Sequence, residues 1–307
     1  MRRAFAETLA AIADADGRVL LLTADIGFMA LEPFAERHPE KFFNVGIAEQ
    51  NMIGVATGLA EAGFFPFVYS IVNFATMRPF EFIRNGPVAH RLPVRVVSVG
   101  GGVEYGHNGI SHFGLEDVAI MRTQPGLTIV CPCDAQQARV ALQKTWDLPN
   151  PLYLRLGKDD QSVVPGLDGR FEIGHAEKIH EGEDVLFVAL GTAALDALKA
   201  ARALHLRGIG ATVLCVSSLN PGPAADVLAH LRRIGHAITV EAHYTVGGLG
   251  SWVAEIASEH SPGSRVLRVG LQSHPGCRSG SQLWMQERLG LSAEALVNAT
   301  INLLAKP

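Results

Sequence analysis

Short runs that are apolar at almost every position recur along this chain, and they limit its fold more than any other feature. Val19-Leu20-Leu21-Leu22-Thr23 is one, residues 94–99 another, residues 185–189 a third. A strand with one wet face alternates apolar and polar side chains. A strand covered on both faces reads as an unbroken apolar run, which is the habit of parallel sheets. Segments of helical spacing lie between the runs: Phe5, Leu9 and Ile12 within 3–14, and Met52, Val55, Ala56 and Leu59 within 49–62. Further strands are expected at 42–45, 64–69, 128–131, 152–156, 212–216, 237–240 and 265–269. Further helices are expected at 75–85, where Pro79 kinks or breaks the helix, and at 116–121, 135–146, 193–206, 224–234, 249–259, 281–289 and 293–304. The alternation fails between Gly157 and Gly169, where Pro165-Gly166-Leu167-Asp168-Gly169 reads as a linker. The fold class is therefore α/β, with two doubly wound domains: residues 1–160 and 176–307, joined by a linker at 161–175.

With 48% apolar and 18% charged residues, 307 residues can build a sizeable core. A formal net charge of -4 gives no case for a nucleic-acid partner. The apolar run at 185–195 is too short to span a bilayer, and Glu7 interrupts any secretory signal at once. No membrane association and a cytoplasmic location are expected. Four cysteines do not make a disulfide framework, and Cys131-Pro132-Cys133 lacks the Cys-x-x-Cys spacing, so it reads as core rather than as a metal site.

The chemistry gathers around residues 43–52. Phe43-Asn44-Val45-Gly46-Ile47-Ala48-Glu49-Gln50-Asn51-Met52 reads as the end of a buried strand, a glycine turn and a helix start. Glu49 falls in the first helical turn among apolar neighbours. It is either an acid placed by the helix dipole or a buried carboxyl with a task, since an unpaired buried charge is costly. Asp25 ends a strand at the carboxyl edge, where open α/β sheets bind ligands; a turn acid is the alternative. Gly100-Gly101-Gly102 through His112 is a glycine-dense loop at another strand end, without the Gly-Lys-Ser/Thr of a P-loop. Gly247-Gly248-Leu249-Gly250 opens a helix either as an anion site or as a packing turn.

Four segments carry a resemblance: Asn44-Val45-Gly46-Ile47-Ala48-Glu49-Gln50-Asn51; Asn73-Phe74-Ala75-Thr76-Met77-Arg78; Gly106-His107-Asn108-Gly109-Ile110-Ser111-His112; and Leu115-Glu116-Asp117-Val118-Ala119-Ile120-Met121-Arg122. In this order the chain resembles the transketolase family of thiamine-diphosphate enzymes. The first domain is similar to the family's pyrimidine-binding domain and the second to its C-terminal domain. Complete transketolases also carry a domain that binds the diphosphate through Mg²⁺ with a Gly-Asp-Gly motif, which this sequence lacks. The resemblance therefore implies the C-terminal half of a split enzyme, with thiamine diphosphate shared across subunits, Mg²⁺ held by an N-terminal partner subunit, and an α2β2 heterotetramer.

The resemblance also assigns roles. Glu49 would bond the aminopyrimidine ring nitrogen, so that the exocyclic nitrogen can take the C2 proton. Phe74 would pack on the pyrimidine, with Ile71 where a second aromatic is usual, and Asp25 would lie near the cofactor. His112 would face the substrate and move protons. His107 and Asn108 would bind substrate, Asn108 standing where an Asp is usual. Arg155 and Arg3 would grip a sugar phosphate, although the family's phosphate-binding serine is replaced around Phe28-Met29. The implied activity is transfer of a two-carbon ketol unit from a ketose to an aldehyde acceptor, on small sugar or keto substrates. The alternatives are the beta subunit of a 2-oxo acid dehydrogenase, or a non-catalytic structural or regulatory subunit.

Overall fold

The computed structural model describes residues 1–260 and 263–305. Its first part runs α1 (Arg2–Ala15), β1 (Val19–Thr23), α2 (Glu32–Arg37), β2 (Phe42–Asn44), α3 (Glu49–Glu61), β3 (Phe65–Ile71), α4 (Val72–Thr76), α5 (Phe80–Ile83), β4 (Arg95–Val99), α6 (Asp117–Arg122), β5 (Thr128–Val130), α7 (Ala135–Thr145) and β6 (Leu152–Leu156). The strands form a wholly parallel sheet in the order β2-β1-β3-β4-β6-β5. Strand β1 shows why its sequence is apolar throughout. Leu20 and Leu22 enter one cluster with Met52, Ile53 and Ala56, while Val19 and Leu21 enter another with Phe5, Leu9 and Phe67.

The second part runs β7 (Ala176–His180), β8 (Val185–Leu190), α8 (Ala194–His205), β9 (Ala211–Val216), α9 (Ala224–Arg233), β10 (His236–Tyr244), α10 (Leu249–His260), β11 (Arg265–Leu271), α11 (Gln282–Arg288) and α12 (Ala293–Leu304). Its sheet has the order β11-β10-β8-β9-β7. Strand β7 runs antiparallel to β9. It was not expected, because an edge strand with half-exposed residues (Ala-Glu-Lys-Ile-His) lacks the apolar run.

Two further differences have plain causes. Helix α3 buries Met52, Ile53, Ala56 and Ala60, leaving Val55 41% exposed, so its inner face is turned from the expected one. The helix expected at 75–85 is two helices: α4 ends at Thr76, Pro79 caps α5, and a π-turn follows at Arg84–Val88.

The two sheets are stitched together at β5. Val130 pairs with Ser218 in an antiparallel bridge. Cys131 N donates to Ser217 O at 2.8 Å, and Leu219 N donates to Ile129 O at 3.1 Å. One apolar cluster runs from Leu20 and Val68 of the first sheet to Leu186 and Val216 of the second. Cys131 and Cys133 are buried in this seam. At Gly247-Gly248-Leu249-Gly250 the anion is internal: Glu241 accepts from Leu249 N at 2.7 Å and from Gly250 N at 2.8 Å, satisfying the first turn of α10. Among the described residues, no helix is long and apolar enough to cross a membrane.

Candidate functional site

The turn between β2 and α3 is locked before Glu49 is reached. Asn44 Oδ1 accepts from Asp25 N and Gly46 N, each at 3.0 Å, and Asn44 Nδ2 donates to Asp25 Oδ1 at 3.0 Å. Gly46 turns the chain at φ 74, a left-handed value that suits glycine. Helix α3 then begins at Glu49, whose side chain is 0% exposed. Its Oε2 accepts from Arg78 Nη1 at 2.6 Å. Its Oε1 is buried and has no hydrogen-bond partner. A buried carboxylate oxygen without a donor is costly, so the arrangement fits a group that supplies a donor at that spot.

A row of side chains leads away from the carboxylate. The Arg78 guanidinium carbon lies 4.4 Å from the centre of the Phe74 ring. Phe74 meets the His112 ring edge-on, with centroids 5.3 Å apart. His112 lies 6.1 Å from Tyr105, and Lys158 Nζ sits 4.7 Å from the Tyr105 centroid. Ile71 is buried at the start of α4, in the cluster that Phe74 and Tyr105 pack against. The glycine-dense loop places His112 with two short 3-10 turns, Gly106–Asn108 and Ile110–His112. Between them Gly109 takes φ 75, a value a side chain would strain. Ser111 Oγ and His112 Nδ1 are 2.9 Å apart, and Asn73 Nδ2 donates to Ser111 O at 3.0 Å, tying this loop to α4. Partial burial pulls the His112 pKa below its ordinary 6.5, favouring neutral imidazole. His107 and Asn108 are exposed on the same loop. His107 lines a cleft with Arg2, Glu104, Lys158, Asp160 and Gln282.

Glu49, Phe74, Ile71 and His112 are thus joined by contacts, Asp25 braces the turn before Glu49, and His107 and Asn108 ride the His112 loop. The two expected phosphate-gripping arginines are placed otherwise. Arg155 is 6% exposed, and its fork is engaged inside the protein. Its Nε donates to Asp117 Oδ2 at 2.7 Å, and its Nη2 donates to Asp117 Oδ1 at 3.2 Å, Gly114 O at 3.0 Å and Ala242 O at 3.1 Å. Burial, the largest single effect, opposes its charge, but Asp117 and the other neighbours together exceed it and raise the Arg155 pKa. Arg155 is a strap between the two parts of the chain, not a free anion fork. Arg3 points outward and pairs with Glu7 at 2.7 Å; its neighbour Arg2 lines the cleft, with a buried Nε that has no partner. One residue along a helix is about 100° of rotation, enough to exchange the inward residue for the outward one.

Arg78, Tyr105 and Lys158 were missed as site residues. Arg78 stands within one of the four segments that carry the resemblance, and a charge beside the helix-breaking Pro79 was the signal available. Among the described residues, no group of three or more His, Cys, Asp or Glu side chains is arranged to hold a metal ion.

The family model for the transketolase pyrimidine-binding domain matches residues 1–162, and that for the transketolase C-terminal domain matches residues 174–296. A putative transketolase C-terminal section from Methanocaldococcus jannaschii is 32% identical, covering 100% of this chain and 96% of its own length. A subunit of the apulose-4-phosphate transketolase from Phocaeicola vulgatus is 35% identical over 87% of this chain and 86% of its own. A solved structure described as a split gene transketolase, inactive beta4 tetramer, superposes with a TM-score of 0.89 at 36% identity, covering 99% of this chain and 97% of that one.

Proposed function

The chain belongs to the transketolase family, and from that premise we propose that it is the C-terminal subunit of a two-polypeptide, thiamine-diphosphate-dependent transketolase. It moves a two-carbon ketol unit from a ketose to an aldehyde acceptor once its N-terminal partner is bound. Relatives described as a C-terminal section, a transketolase subunit and a split-gene protein support this reading over a 2-oxo acid dehydrogenase subunit.

One observation carries the chemistry: Glu49 presents a buried, unpartnered Oε1, while the guanidinium that holds its Oε2 lies against the Phe74 ring. Bound thiamine diphosphate supplies a nucleophilic carbon for ketol transfer. Glu49 would hold its aminopyrimidine nitrogen, Phe74 and Ile71 would pack the ring, and Asp25 would brace the turn beneath. His112, neutral near pH 7, would accept and return protons at the substrate, and its neighbours His107 and Asn108 would bind substrate hydroxyls. Arg2 and Lys158 replace Arg3 and Arg155 as the cations available to an anionic substrate end.

Diphosphate and Mg²⁺ would be held by the partner, in an α2β2 assembly. The large apolar side chains left exposed at Phe28 (77%), Met29 (93%) and Ile47 (76%) support cover by other chains. The relative that forms an inactive beta4 tetramer supports self-assembly without activity when the partner is missing.

The test is Glu49→Gln in the complex reconstituted with its partner. Folding and association should be unchanged, and turnover should fall on the order of 10²–10⁴-fold. Near-normal turnover in that variant would remove the assignment.

A further inference from the structure

Glu49 and Phe74 come from separate elements, α3 and α4, yet one guanidinium touches both. Arg78 Nη1 donates to Glu49 Oε2 at 2.6 Å, and Arg78 Cζ lies 4.4 Å from the Phe74 ring centre. Arg78 is set there by the backbone. Helix α4 stops at Thr76, Pro79 cannot continue it, and Arg78 N donates to Asn73 O at 3.2 Å. The two partners of the pair differ in setting, with Arg78 40% and Glu49 0% exposed. The cation therefore reaches inward from a solvated position to a fully buried acid.

Resting on the function proposed above, we infer that Arg78 is a positioning residue: it fixes one oxygen of Glu49 so that the other, Oε1, stays directed at the cofactor's ring nitrogen, and it steadies the Phe74 face on which that ring packs. The terminal torsion of a glutamate is broad and roughly two-fold, so an untethered carboxyl presents its oxygens at many angles. A charge-assisted bond to Oε2 removes that freedom, and Oε1 is left without any donor of the protein's own. A planar guanidinium can bond the acid through an edge while lying against an aromatic ring. A lysine ammonium is a compact point charge and cannot do both. Lysine at this position should therefore preserve charge balance and lose alignment.

The experiment uses the complex reconstituted with its partner and compares the native chain with Arg78→Lys, Arg78→Ala and Glu49→Gln. Three quantities are read: the unfolding midpoint, the affinity for thiamine diphosphate by calorimetry, and the rate at which the bound cofactor's C2 hydrogen exchanges for deuterium, followed by acid quench and NMR. Arg78→Lys should keep the native midpoint, bind the cofactor about tenfold more weakly and slow C2 exchange on the order of 10²-fold. Arg78→Ala should be as slow and should recover when low millimolar guanidinium is added. If Arg78→Ala does not fold, Arg78→Lys decides alone. Native exchange in Arg78→Lys, or tighter cofactor binding in either variant, overturns the inference; the second result would mean that Arg78 blocks the ring's seat. Glu49→Gln separates the two levels. Slow exchange there with native exchange in Arg78→Lys refutes only the role of Arg78, whereas native exchange in Glu49→Gln refutes the function on which it rests.

Discussion

Removing the Asp117 carboxylate should cost this chain more stability than any surface ion pair could. Asp117 is 1% exposed and accepts from Tyr153 Oη at 2.6 Å, Arg155 Nε at 2.7 Å and Arg155 Nη2 at 3.2 Å. In Asp117→Ala, Tyr153 keeps its contact with Ser98 Oγ at 2.7 Å, so its loss is small. Arg155 keeps only the carbonyls of Gly114 and Ala242. They bond the guanidinium without neutralising it, and its charge stays buried. Breaking a buried pair in this way costs about 3–5 kcal/mol. With a urea slope of about 3 kcal/mol/M, a loss near 4 kcal/mol moves the unfolding midpoint down by about 1 M. The double replacement Asp117→Leu with Arg155→Met removes both charges and should return most of that loss, because an apolar pair of similar volume is often no less stable. The assay is urea unfolding followed by tryptophan fluorescence, with Trp146 and Trp252 as reporters in the two parts of the chain. A loss below about 1 kcal/mol in Asp117→Ala, the range of a solvated surface pair, would refute the strap assigned to Arg155 and return its fork to the substrate.

Two pH experiments concern other titratable groups. Burial raises the Glu104 pKa above the ordinary carboxylate value, so between the two values the folded chain holds a proton that the unfolded chain has released. Stability should therefore fall as pH rises through that window, by up to about 1.4 kcal/mol per pH unit, and Glu104→Gln should flatten this part of a pH series of unfolding midpoints. The His112 pKa is lowered from 6.5, so kcat/KM of the reconstituted enzyme should rise with pH along a limb whose midpoint lies below that value. His112→Gln should abolish this limb and lower kcat/KM by about 10²-fold; an unchanged limb would assign it to another group.

The sequence disclosed the fold where burial was two-sided. Strands β1 and β6 match the expected limits because a five-residue run with both faces covered has no other reading. It concealed β7, where half-exposed residues carry no period, and α2, whose six residues bury only Phe34. The burial of Glu49 was legible because an acid in an apolar first turn conflicts with its neighbours. The outward direction of Arg3 and the inward direction of Arg2 were not legible, because helix phase near a terminus rests on too few residues to be fixed. The internal partners of Arg155 were hidden for a different reason: a guanidinium suits a phosphate and an aspartate equally, and only the fold brings Asp117 and Ala242 to it. Arg78 was passed over because its acid partner is 29 positions away in sequence.

The seam at β5 has a mechanical consequence. An outermost strand usually leaves one row of amides and carbonyls open, but Val130 and its neighbours spend theirs on residues 217–219 of the same chain. Hinging at that join would tear ladder bonds and split a shared apolar interior. The two sheets of this chain should therefore move together instead of swinging apart at β5.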